Sequence, residues 1–149
     1  LTTKLNWDGG KLVNPDFFLT GEDGSVSLRG GVCATCNKYF FPYKEICTVC
    51  FQKTVKETPL SGRGKLVSWS VASQPSIMGL ESPYCFGYID LEEGVRIYSL
   101  LEVKDNNFEV LYKGKELQMT MGFLYQNITG EDIYTYKFTP VETINGGGD

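Results

Sequence analysis

Residues 33–50 read CATCNKYFFPYKEICTVC, and what this stretch does decides the fold. It holds two C-x₂-C pairs, Cys33/Cys36 and Cys47/Cys50, ten residues apart. A C-x₂-C unit folds as a knuckle with both sulfurs turned inward. Two facing knuckles offer four thiolates in a tetrahedron, the donor set and shape that suit Zn²⁺. With all four positions taken by protein, the expected site is closed and structural, lending folding energy to a segment too short to build its own core. Iron held in the rubredoxin manner uses the same ligands and is the alternative metal. A secreted disulfide framework fits less well. The cysteine count is odd, five with Cys85, and the opening residues LTTKLNWDGG lack the apolar run of a signal peptide. The residue after a knuckle's second cysteine favours positive φ. Asn37 suits that position and Phe51 does not, so the second knuckle is expected to be strained or differently shaped.

Outward from the cysteines the texture is β. Upstream, SVSLRGGVC (25–33) alternates and reads as a strand entering the first knuckle. Before it, Asn14-Pro15-Asp16 looks like a helix start, with FFLT (17–20) belonging to a short helix. Downstream, KLVSWSVA (65–72), YCFGYIDL (84–91), VRIYSLLEV (95–103), KELQMTMGFLYQ (115–126) and IYTYKFTPV (133–141) alternate at period two or are bounded by turn residues. Five such strands with no long helix predict a small closed antiparallel barrel. The five-stranded OB-fold is the economical choice, with an SH3-like barrel or split sandwich as competitor. Gly87, inside the second of these strands, would permit a sharp bend. The expected fold is therefore mainly β: an N-terminal extension over 1–28, a four-cysteine ribbon over 29–60, a five-stranded barrel over 61–141 and a disordered tail over 142–149.

The chain of 149 residues contains no histidine. That excludes Ser-His-Asp triads, Cys-His dyads and His-ligated zinc hydrolases together. Cys85 lies in a strand with no histidine to activate it, so it reads as a small buried side chain rather than a nucleophile. No catalytic residue is expected on this chain. No stretch is long and apolar enough to span a bilayer, and a cytoplasmic protein is expected. The total charge is −4, but residues 29–65 carry seven Lys and Arg against two Glu, a formal +5, leaving −9 for the remainder. The positive surface thus belongs to the ribbon and the junction after it, where it could attract phosphates.

RGGVCATCNKYFFPYKEICTVC, LSGRGKLVSWSV, SPYCFGYIDLEEGVRIYSLL, YKGKELQM and YKFTP, in that order, resemble the accessory proteins grouped as domain of unknown function thirty-five. The likeness runs from about Arg29 to Pro140. Asn37 and Phe51 depart from it where the family more often has Gly. The resemblance implies a rubredoxin-like zinc ribbon ahead of an OB-fold. It also implies a role as the non-catalytic small subunit of a thiolase-like, acyl-CoA enzyme, helping to assemble the catalytic chain and to form the channel for CoA or the acyl group. On that reading CoA phosphates are expected at Arg63, Lys65 and Lys44, by charge-assisted hydrogen bonds. The competing class is a single-stranded nucleic-acid module, since OB-folds bind strands on aromatic platforms. Twenty aromatics are available, but the acidic half of the chain would have to offer them, and a core or partner role for them is the stronger expectation.

Overall fold

The structure, a computed structural model, describes residues 5–6, 10–76 and 79–141. The tail expected to be disordered lies outside them. The strands are β1 Leu5–Asn6, β2 Lys11–Leu12, β3 Phe18–Thr20, β4 Ser25–Cys33, β5 Tyr39–Phe40, β6 Val55–Pro59, β7 Arg63–Ala72, β8 Tyr84–Leu91, β9 Arg96–Leu101, β10 Glu116–Gln126 and β11 Asp132–Pro140.

The last five close into a barrel. β7 pairs with β8 and β8 with β9, both antiparallel, and β10 pairs antiparallel with both β7 and β11. The ring is shut by a short parallel contact between β9 and β11 at Leu101 and Phe138, where the Glu102 N–H donates to the Phe138 carbonyl at 2.8 Å. Alternation places the interior: Cys85, Gly87, Ile89 and Leu91 of β8 are buried while Tyr88, between them, is exposed. The ring β7-β8-β9-β11-β10 is the expected five-stranded OB barrel. Gly87 serves a closer approach than the expected bend: a Cβ there would run into the Ser68 carbonyl, just beyond the bulge between Leu66 and Ser68.

β4 organises the rest. It pairs with β1 and β3 at its start and with β5 and β6 at its end. The short helix expected over 17–20 is reduced to one 3-10 turn at Pro15–Phe17. Phe18–Thr20 is a strand instead, because its backbone groups pair with β4 and Phe18 turns into the core. β2 adds to the barrel as a parallel neighbour of β11. The described N-terminal residues therefore pack on this chain. Phe18, Val26, Leu28 and Leu60 share one buried cluster with Leu66, Ile89, Leu117 and Phe138 of the barrel. Phe41, from the ribbon, meets Tyr136 of β11 edge-on at 5.9 Å and Phe17 at 5.3 Å. The ribbon's own cluster is small: Cys33, Cys47 and Val55, with Phe40, Tyr43 and the other two cysteines against them.

Candidate metal centre

β4 ends at Cys33, and the β4–β5 and β4–β6 pairings hold the segment between them folded back on itself. The two knuckles are built alike. The Asn37 N–H donates to the Cys33 carbonyl at 2.8 Å, and the Phe51 N–H to the Cys47 carbonyl at 2.9 Å. Both Asn37 and Phe51 adopt the left-handed region, at φ 59° and 60°. So the second knuckle is not differently shaped. It takes the same turn with a residue that resists it.

This geometry brings all four sulfurs together, within 4.8 Å of one another. Cys33 Sγ stands 3.7 Å from Cys50 Sγ, and Cys47 Sγ stands 4.0 Å from Cys36 Sγ. Four sulfurs ~2.3 Å from one ion in a tetrahedron would lie about 3.8 Å apart, so the cluster fits a single metal ion. Backbone dipoles already point at the sulfurs. The Cys36 N–H donates to Cys33 Sγ at 3.4 Å, and the Val49 and Cys50 N–H groups donate to Cys47 Sγ at 3.3 and 3.4 Å. The Thr54 hydroxyl lies 3.2 Å from Cys33 Sγ. It leads the hydrogen bonds that hold the Cys33 thiol down to about 6. Cys36 is pushed up to about 12, chiefly by its hydrogen bond with Cys50 and then by burial. A metal bound there would have to displace the protons of its thiol ligands. Thr54 escaped the sequence reading because it reaches Cys33 only through the register that sets Val55 opposite Cys33.

Cys85 is fully buried, and desolvation pushes its thiol up to about 11. The thiolate a nucleophile needs is therefore scarce near neutral pH.

Arg63 and Lys65 come together at the start of β7, lining a cleft of about 410 Å³. Glu92 and Glu116 line it as well, so its formal charge is balanced. Lys44 stands exposed on the ribbon and is not part of that lining. A second feature is aromatic: a groove of about 540 Å³ lined by Ser68, Trp69, Ser70, Phe86, Gly87, Tyr88 and Tyr98. Phe86 and Tyr88 flank Tyr98, with ring centroids 5.7 and 5.4 Å from it. The alternation that located the strands also marks these rings as outward, a signal available in β8 and β9.

Comparison with known proteins adds four findings. The profile described as ChsH2, C-terminal OB-fold domain, matches residues 57–121. The chain is 34% identical over 129 residues to the benzoylsuccinyl-CoA thiolase subunit BbsA of Thauera aromatica, covering 86% of this chain and 87% of that one. It is 35% identical over 120 residues to a DUF35 domain-containing scaffold protein of Methanocaldococcus jannaschii, covering 77% and 82%. Among solved structures, the Ltp2-ChsH2(DUF35) aldolase superposes with a TM-score of 0.55 at 22% identity, over 76% of this chain and 84% of that one, a likeness of fold.

Proposed function

The chain belongs to the DUF35 family of ChsH2-type OB-fold proteins, and from that premise we propose that it is the small, non-catalytic, zinc-binding subunit of a thiolase-like complex acting on acyl-CoA in the cytoplasm. The observation that carries this reading is the near full-length relationship to a thiolase subunit. The chain's own chemistry agrees with it. It has no histidine, and the one cysteine outside the metal cluster is buried with its thiol raised. Carbon–carbon bond cleavage at a thioester needs an activated nucleophile and bases, which the partner would bring. No helix among the described residues is long and apolar enough to cross a membrane.

In this reading Cys33, Cys36, Cys47 and Cys50 hold Zn²⁺, which fixes the ribbon against the barrel and takes no part in the reaction. Four soft thiolates also suit iron. Metal analysis of the purified, colourless or coloured protein decides between them. Arg63 and Lys65, with Lys44, would meet the CoA phosphates. Glu92 and Glu116 beside the first two oppose a free anion, so the site would be completed only with the partner's surface in place.

The test is to express the chain with and without a thiolase-like candidate partner. Co-purification and a catalytic chain that loses most of its thiolytic activity alone are the expected results. Full activity without this chain, or thioester turnover by this chain alone, overturns the reading. A strand-binding role has one observation in its favour, the groove of Trp69, Phe86, Tyr88 and Tyr98. No Lys or Arg lines that groove, so stacked bases would lack the phosphate contacts that dominate affinity. A salt-dependent mobility shift with single-stranded DNA or RNA would favour this second reading.

A further inference from the structure

β7 changes character half-way along. Up to Leu66 it is held on both sides: by β8, by β10 at Arg63–Lys65, and by the Leu66 N–H donating to the Lys115 carbonyl at 2.9 Å. Beyond the bulge, Ser68, Trp69, Ser70 and Val71 are four consecutive exposed residues, so both faces of the strand meet solvent. β8 still pairs one edge as far as Ala72 opposite Tyr84. Among the described residues nothing pairs the other edge. In an antiparallel ladder every second residue turns its N–H and C=O away from its partner. The stretch 68–72 therefore presents a row of open main-chain donors and acceptors.

Native proteins normally blunt such an edge with Lys, Glu, Pro or an inward charge. This one carries none: between Lys65 and Glu81 the sequence has no charged residue, and its first Pro is Pro75, past the strand. The aromatic groove crosses β7, β8 and β9 on the side of β7 away from this edge, and it too is lined without any carboxylate, Lys or Arg. An uncharged strip set in the acidic part of the molecule admits a neutral segment without stripping water from any charge. An open edge is where a sheet takes in an extended peptide, main-chain hydrogen bonds supplying the affinity.

We propose that residues 68–72 of β7 receive an uncharged, extended segment of the catalytic partner chain as an added strand, its side chains lying beside those of Ser68, Trp69, Ser70 and Val71. This rests on the reading that the chain works beside such a partner.

Hydrogen–deuterium exchange of the full chain, alone and co-expressed with a thiolase-like partner, tests it. Peptides covering 67–72 should exchange quickly in the free chain and slow by about tenfold or more in the complex. Val71→Lys, which puts a charge on the edge, should weaken the complex by about tenfold while leaving the free chain's melting temperature and metal content unchanged. A complex that forms with exchange at 67–72 unaltered, and that Val71→Lys leaves as tight, overturns the added strand but leaves the subunit role standing. No complex at all removes that role and the added strand with it. A free chain of doubled mass with 67–72 already protected assigns the edge to a second copy and overturns the proposal.

Discussion

Phe51 adopts φ 60° where its counterpart Asn37 adopts 59°. A left-handed conformation costs an L-residue ~1–2 kcal/mol, less for Asn, whose short side chain hydrogen-bonds locally. The Phe51 ring returns little to the fold, since it is 77% exposed. Phe51→Gly should therefore raise the stability of the metal-loaded chain by about 1 kcal/mol. The check is thermal melting, where an unchanged or lower midpoint would mean that the ring packs on something the isolated chain needs. Asp90 gives a pH dependence of known sign. The Arg96 guanidinium, bonded to it at 2.7 and 3.0 Å, holds its carboxyl below the ordinary carboxylate value. A depressed acid contributes stability above its unfolded pKa, and the contribution is lost as pH falls through the folded one. Both side chains are about half exposed, so the effect is under about 1 kcal/mol and confined below about pH 4. Asp90→Asn should flatten the fall in melting temperature over that window.

At the scale of elements, the barrel strands were legible because each alternates and ends in turn residues. β8 lies where the pattern puts it, and the other four differ only by a residue or two at their ends. The four-cysteine cluster was equally plain, because ligand spacing is local. Phe18–Thr20 was not, since three residues carry no period and a preceding Asn-Pro imitates a helix start; only pairing with β4 makes them a strand. The Ser61-Gly62-Arg63-Gly64 junction was visible as a motif but not as a mechanism. Ser61 gives its N–H to Glu93 at 2.6 Å and its hydroxyl at 3.0 Å. Gly62 is left-handed at φ 71°. A Cβ on Gly64 would run into the Asp90 carbonyl. Ser61 and Gly64 thus fasten the ribbon's exit to the β8–β9 hairpin, with Glu93 as the far anchor 32 positions along the chain, while the Gly62 carbonyl accepts the Met119 N–H of β10 at 2.7 Å. Glu93→Ala strands a nearly buried serine and should destabilise the protein by about 1–3 kcal/mol. Denaturant midpoints measure it, and a loss well below that range would show the serine finding water instead.

Taken whole, the molecule holds two unequal cores. The barrel's cluster includes Leu66, Ile89, Leu117 and Phe138, all essentially inaccessible, and burying each such side chain is worth about 1.5–3 kcal/mol. The ribbon's fully buried members are two cysteines, Cys33 and Cys47. On the proposed reading the ribbon depends on a bound metal in a way the barrel does not. The β4–β6 ladder, the Arg29–Glu57 ion pair and Arg29 over the Tyr43 ring at 4.7 Å hold the ribbon together, and Leu60 in the barrel's cluster and Phe41 against Tyr136 and Phe17 tie it to the rest. Those near Leu60 and Phe41 sit at the barrel end and are buttressed by it. Those at Cys33, Cys36, Cys47 and Cys50 are not. Chelation should accordingly free the amides of residues 33–52 to exchange while the amides of β7–β11 keep their protection, and restoring zinc should reverse it. A ribbon that keeps its protection after chelation would show that the thiols hold it unaided. A barrel that melts with the ribbon would show one cooperative unit, with the metal's binding energy spread through the whole chain.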